Sequence, residues 1–399
     1  MKKLSEILYI TYNGVSEPIF QSQCLPYLKG LSGKGHVITL LSYERDLARS
    51  LEYAHILKRA GIKWYRLRYH KYPRFLATAY DFLAGIALSF FATLKNRPDI
   101  IHARATHGAI IGILPALITG RKFIFDTRGM DSEEYVDGSL LKKGSLIHRA
   151  LFESEKYLLL KADSVVFLSV KAEELMREKG LGDIVKGKSC VIPCATDLDF
   201  FKFRKKAERK EETRFIYAGS VGTWYMMDEM LEFLRAAKKR LGKSKFFIFT
   251  QSGKEGIRKT AKKLKITDSV KIAYVPHGVI SRRIADCDAG LCFIKPVSSK
   301  RASSPVKIGE YLASGVPVVI NKGIGDTEGV IKKERVGVIT DGFSPADYVK
   351  ALDELELLLG EKDIRQRCRR AAEKYFSLER AVEAYDRIYS NLREEPALP

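Results

Sequence analysis

The segment richest in chemistry is Ser303-Ser304-Pro305-Val306-Lys307-Ile308-Gly309-Glu310-Tyr311-Leu312. Ser304 is a good N-cap and Pro305 suits the first helical position, so the pattern predicts a helix beginning here. The free N–H groups and positive dipole end of such a start favour a phosphate. Lys307 and Glu310 stand three apart and share a face, while Ile308, Tyr311 and Leu312 form the face toward a core. A lysine beside phosphates, with a carboxylate one turn on for ribose or sugar hydroxyls, suits a nucleoside diphosphate. An intrahelical Lys–Glu pair on a solvated surface fits the same spacing, and spacing alone does not choose.

A second group follows a β-rich run. Asp126, Arg128 and Asp131 sit where open α/β sheets place functional groups, at a strand's carboxyl end. Arg128 is suited to hold an anionic acceptor or charge developing on a leaving diphosphate. An Asp126–Arg128 or Arg128–Asp131 brace is the structural alternative. His102 and His107 flank the preceding strand end, either as site groups or as buried or loop histidines. The six cysteines are scattered, without a CxxC pair or a His/Cys cluster. That usage points to reduced thiols in a cytoplasmic protein and offers no metal site; Cys190 and Cys194 read as packing residues.

The elements that must position these residues alternate from end to end. β-rich runs at 7–12, 36–42, 63–67, 99–103, 122–127 and 164–168 are separated by helical stretches, including 20–31 and 46–60. A short run at 191–193 and a charged linker, FKFRKKAERKEE (201–212), close the first series. The alternation restarts at 213–218, 245–250, 270–274, 289–293, 316–321 and 337–340, and a helical tail spans 376–393. Strands alternating with helices build right-handed βαβ units and parallel sheets covered on both faces. The chain of 399 residues, 46% apolar, has ample material for two such cores. The expected fold is α/β: two Rossmann-like, doubly wound parallel-sheet domains facing each other across a cleft. Their expected bounds are 1–200 and 201–375, with 376–399 folding back onto the first domain.

The formal net charge is +21, which speaks to partners rather than fold. Residues Lys58–Arg74, KRAGIKWYRLRYHKYPR, hold seven Lys/Arg and no acid, interleaved with Trp64, Tyr65, Tyr69 and Tyr72. This run fits an anionic membrane surface, a nucleic acid, or simply a solvated strand and loop. The N-terminal apolar stretch is too short, and too soon interrupted by Asn13 and Gly14, for a signal peptide. Phe82–Leu94 falls short of a bilayer span and is expected as a buried helix.

SSPVKIGEYLASGVPVVIN resembles the donor-binding helix of the retaining glycosyltransferases of family 4, which adopt the GT-B fold. NGVSEPIFQSQCLPYLKGL, DTRGMDSEEYVDG, KADSVVFLS, VIPCATDLDFF and YAGSVGTWY, in that order, resemble further signatures of one subgroup. The resemblance implies sugar transfer with retention from a UDP- or GDP-linked sugar, without a resident cofactor, to a glycan or lipid-linked acceptor. It places Glu310 on the ribose hydroxyls and Lys307 with nearby N–H groups on the diphosphate. Gly14, Gly219, Ser220 and Thr223 would line the donor, and Asp126, Arg128 and His107 would serve catalysis. Glu17, Gln21, Gln23 and Asp131 would meet the acceptor. Two departures stand out. The first of two family glutamates is Ala302 here, leaving backbone or Ser303 to contact the sugar. An expected Arg/Lys pair is replaced by Ser220 and the uncharged 222–227, so Lys300 and Arg301 are expected to supply charge with Lys307. A sugar-nucleotide epimerase, a sugar-phosphate transferase, and a polyanion or nucleic-acid binder are the competing readings; a specific nucleic-acid partner is not expected.

Overall fold

The computed structural model describes residues 4–204 and 212–394, so most of the expected linker lies outside the described residues. The chain forms two compact units. One runs to Pro193 and takes in the helix Leu378–Glu394; the other spans Cys194–Ser377.

The first unit holds a seven-stranded, all-parallel sheet. Its strands are β1 (Glu6–Thr11), β2 (Val37–Glu44), β3 (Lys63–Arg68), β4 (Ile100–Arg104), β5 (Lys122–Asp126), β6 (Ser164–Phe167) and β7 (Ser189–Val191), in the order 3-2-1-4-5-6-7. The second holds six parallel strands: β8 (Thr213–Ala218), β9 (Ser244–Phe249), β10 (Val270–Ala273), β11 (Ala289–Cys292), β12 (Val318–Asn321) and β13 (Gly337–Thr340), in the order 10-9-8-11-12-13. Central strands such as β4 and β11 are buried along their whole length, as sheets covered on both faces require. The two Rossmann-like units reverse direction between β1 and β4 and between β8 and β11. Carboxyl ends at such switch points leave room for a ligand.

Three sequence expectations need correction. The helix expected at 20–31 is two, Pro18–Gln23 and Leu25–Gly33. Pro26 has no N–H for the preceding turn and disfavours helical geometry at Leu25. Ser304 does not cap its helix: Pro305 is the N-cap of Val306–Ala313, and the Ser304 hydroxyl instead accepts the Cys194 N–H at 3.1 Å. The helix expected as buried over Phe82–Leu94 is a 23-residue helix, Arg74–Asn96, whose outer face is open. The sheet and a neighbouring helix cover only its other side.

Leu378–Glu394 is integral to the first unit. Tyr389 bonds its hydroxyl to Nδ1 of the buried His102 at 2.7 Å, and Asp386 meets Nε2 of the buried His36 at 3.0 Å. Removing the Tyr389 hydroxyl leaves a buried ring nitrogen without its partner. Tyr389→Phe is therefore expected to lower the unfolding free energy by about 1–3 kcal/mol in urea titrations. An unchanged midpoint would show that the bond carries no stability.

Candidate active site

In the second unit the site grows from the carboxyl ends of β8 and β11. The Tyr311 hydroxyl accepts the Ala218 N–H at 2.9 Å, tying helix Val306–Ala313 to the end of β8. Gly219 follows at φ +145°, a conformation side chains other than glycine's rarely adopt. A Cβ there would lie 3.4 Å from the Lys307 ammonium. The turn and the lysine, 88 positions apart in the chain by number (307 − 219), thus share one spot. Ser220 and Thr223 are exposed beside it.

Lys307 is almost wholly buried, and its Nζ stands 3.5 Å from the centre of the Tyr225 ring and 5.2 Å from that of Tyr217. Burial opposes its charge, but Tyr225, Tyr217 and Cys292 outweigh that and hold the ammonium above the usual lysine range. Among the described residues no carboxylate lies within ion-pair distance of it. Lys300, also buried, places its Nζ 4.1 Å from the centre of the Trp224 ring. Lys300 and Arg301 lie in the turn Ser298–Ala302, and the Ser303 hydroxyl closes that turn on the Lys300 carbonyl at 2.8 Å. The aromatic partners Trp224 and Tyr225 were not singled out from the sequence. Their adjacency in the uncharged stretch after β8 was the available signal.

Glu310 sits one turn beyond Lys307, half-buried, and its carboxylate makes no hydrogen bond or ion pair among the described residues, although its carbonyl accepts from the Ser314 hydroxyl at 2.9 Å. Burial pushes its carboxyl up to about 7, with Lys307 pulling the other way. The solvated Lys–Glu pair that the spacing allowed is therefore not formed. A buried ammonium and an unpaired carboxyl, side by side on one helix, can receive a diphosphate and a vicinal diol.

The first unit presents a different set. Arg128, at φ +53°, donates from Nε and Nη2 to Asp126 Oδ2 at 3.0 and 2.8 Å. Tyr385 of the C-terminal helix donates to the same oxygen at 3.1 Å and accepts from Arg128 at 3.0 Å. Burial would raise the Asp126 pKa, but Arg128, then His102 and Arg104, hold it well below the usual carboxylate range. Burial lowers the pKa of His102, which keeps the ring neutral. Asp126 and Arg128 thus form a buried brace. Asp126 is fully enclosed, so the brace that the sequence allowed as an alternative is formed.

His107 and Asp131 do come together, with Nδ1 3.2 Å from Oδ2, and the partly exposed imidazole stacks on Tyr12 at 5.1 Å. Below them lies Glu155, which the sequence did not flag. It accepts from Ser132 at 2.5 Å and Thr106 at 3.2 Å, and burial, aided by Asp131, pushes it up to about 7. Arg104, at the end of β4, reaches across the switch point to Asn13 at 3.4 Å. Its strand-end position was the signal for it.

The loop after β1 is held mostly by its own residues. A Cβ on Gly14 would sit 2.8 Å from both the Tyr43 carbonyl and the Glu44 carboxylate. The glycine is thus needed for close packing on β2. Glu17 accepts from the Gly14 N–H at 3.1 Å and from Arg45 at 2.9 Å, and Gln21 donates to the Val15 carbonyl. Gln23 is buried and its side-chain carbonyl accepts from the Tyr27 hydroxyl at 3.3 Å.

Residues 22–195 match the glycosyl transferase 4-like domain, and residues 199–375 match glycosyl transferases group 1. The chain is a glycosyltransferase with the GT-B fold, its two halves matching glycosyl transferase models and the C-terminal one that of group 1. Its fold is similar to that of a glycosyltransferase from Rickettsia africae ESF-5, with 16% identity, a TM-score of 0.74, and coverage of 99% of this chain and 100% of that one. Sucrose-phosphate synthase from Thermosynechococcus elongatus is similar at 15% identity and TM-score 0.73, covering 98% and 99%. Anabaena HepE in complex with UDP-glucose is similar at 13% identity and TM-score 0.69, covering 97% and 100%. No curated protein matches the sequence.

The raised Glu310 carboxyl has a consequence for stability. Its folded pKa of about 7 exceeds the unfolded value of 4.5, so the folded state binds the proton more tightly. Stability must then fall as pH rises between those values. Glu310→Gln removes this dependence. The variant should gain roughly 1–3 kcal/mol over the parent at pH 8 and less at pH 5, measured by chemical unfolding. A constant difference across that range would contradict the ionisation assigned to Glu310.

Proposed function

We propose that this glycosyltransferase takes its sugar from a nucleoside-diphosphate sugar, UDP- or GDP-linked, and transfers it with retention of anomeric configuration. The observation that carries the proposal is the Lys307–Glu310 arrangement beside the glycine turn 219–220. In this reading Lys307, backed by Lys300 and Arg301, meets the diphosphate, while ionised Glu310 accepts from the ribose hydroxyls. Ser303, Ser220 and Thr223 line the remaining donor space. That Anabaena HepE was solved with UDP-glucose supports a nucleotide sugar as donor.

Retention needs no strong protein base, because the departing diphosphate can take the acceptor's proton on the same face. Breaking the anomeric C–O bond leaves negative charge on the diphosphate, and a fixed, desolvated ammonium is worth most at that point. Positioning supplies the rest. The acceptor is a glycan or lipid-linked precursor of a cell-surface polysaccharide, with His107 and Asp131 as the groups offered to it.

A thermal-shift panel of UDP-, GDP- and ADP-sugars tests the donor, since a ligand of the native state raises the melting temperature. Lys307→Ala should weaken nucleoside-diphosphate binding by roughly 10–100-fold, and Lys300→Ala by less, given the worth of hydrogen bonds to charged groups. Proton NMR of the first sugar released from an α-linked donor should show the α anomer. Release of the β anomer overturns retention, and undiminished binding by Lys307→Ala overturns the donor site.

A further inference from the structure

The helix Arg74–Asn96 has its polarity reversed. Its inner side carries the buried Asp81, Ser89 and Thr93, and its outer side is apolar. Leu76 is 72% exposed, Leu83 69%, Leu94 66% and Phe91 51%, with Tyr80 between the first two. These residues recur at intervals of three, four and seven or eight, which places them along one face. A water-facing helix would carry charge there.

Asp81 explains the inner polarity. Its carboxylate accepts from Tyr12 at 2.9 Å and from the His70 N–H at 3.0 Å, and Oδ1 lies 2.6 Å from the His70 ring. It is the only acid in the helix, so no negative charge reaches the outer face. The adjacent helix Ala105–Thr119 extends the apolar area. Contacts of Phe82 with His107 and of Gly85 with Ile111 set the two helices side by side in one direction. Leu114, Leu117 and Ile118 of the second helix are exposed.

The charges that frame this face are basic. Lys63 bonds Asn96 at 3.3 Å, and Lys95 lies 5.3 Å from the Phe91 ring centre. Lys71, at the other end, lies 5.1 Å from the Tyr72 ring centre. Strand alternation sends Arg66 and Arg68 of the basic run to the opposite side, where Arg66 stacks on Trp64. The part of the run that matters here is thus its two ends.

We propose that the outer face of Arg74–Asn96 lies on an anionic phospholipid surface, apolar side chains in the acyl boundary and Lys63, Lys71 and Lys95 among the headgroups. The helix has the length and composition to cross a bilayer. Its inner face, however, packs on the sheet and on helix Ala105–Thr119, so it lies in the interface and does not span it. A second copy of the chain would bring like charges together, whereas acidic lipid complements them. The proposal is independent of the donor site.

Full-length protein is sedimented with phosphatidylcholine vesicles with and without phosphatidylglycerol. Binding is expected only, or at least about tenfold more strongly, with phosphatidylglycerol, and should weaken with salt. Leu76→Glu with Leu83→Glu should abolish it. Lys63→Gln, Lys71→Gln and Lys95→Gln should each cost roughly fivefold, the weight of one basic residue near such a surface. Thermal shifts with UDP should stay as in the parent for every variant. Equal vesicle binding by parent and variants overturns the proposal. So does a parent that is dimeric by light scattering and becomes monomeric in Leu76→Glu with Leu83→Glu, because the face would then be covered by a second copy.

Discussion

The C-terminal unit's site depends on keeping one ammonium charged inside protein. An isolated buried cation is costly unless something nearby favours its charge. A carboxylate partner would do so but would also spend the charge. Lys307 is held by the faces of Tyr225 and Tyr217 instead, an attraction that leaves its hydrogen-bonding capacity largely open. The surroundings follow from that choice. Gly219 is required by its φ of +145°, and lacking a side chain it leaves room for the end of Lys307, 3.3–3.4 Å from where a Cβ would stand. Glu310 must stay one turn away, since closer approach would convert it into the missing counter-ion.

The N-terminal unit solves the opposite problem. Asp126 is a carboxylate at a switch-point strand end, and its contacts fall on one oxygen: Arg128 and Tyr385 bond Oδ2, and His102 lies 3.6 Å from it, while Oδ1 is buried without a hydrogen-bond partner among the described residues. The C-terminal helix supplies Tyr385 and Tyr389, so the last element of the chain fixes groups from its first third. Charge there goes into rigidity. What remains exposed at that end is the His107–Asp131 pair, stacked on Tyr12, whose hydroxyl in turn holds Asp81. The helix Arg74–Asn96 is therefore linked through Asp81 and Tyr12 to the imidazole by a short series of contacts.

The sequence made the two parallel sheets legible because strand and helix periodicities alternate without interruption. Strand ends were read within about two residues wherever a buried strand met a turn. Lys307 and Glu310 were legible because helical spacing is a local property, and His107 and Asp131 because both flank strand ends. Local pattern failed where tertiary partners decide. Gln23 reads as polar and is core, since Tyr27 satisfies it. The packing of Glu44, from the next strand, against Gly14 is likewise invisible in the sequence. The outward apolar face of Arg74–Asn96 was hidden because apolar residues are ordinarily taken to point inward, and only the inward Asp81 reveals the reversal.

The departure at Ser220 and the uncharged stretch after it also resolves in these terms. A basic pair after β8 would project its charge from that turn. This chain puts Trp224 and Tyr225 there, and the cations arrive from elsewhere: Lys300 onto Trp224 and Lys307 onto Tyr225. Aromatic faces do not replace positive charge; they fix where charge borrowed from another segment will stand. Two adjacent rings, held to the end of β11 by the Tyr225–Ile294 bridge and the Met226 N–H on the Phe293 carbonyl, thereby set the placement of two lysines seven residues apart by number (307 − 300). The positive charge of the site is thus a property of the packing between two segments of the C-terminal unit and of neither alone.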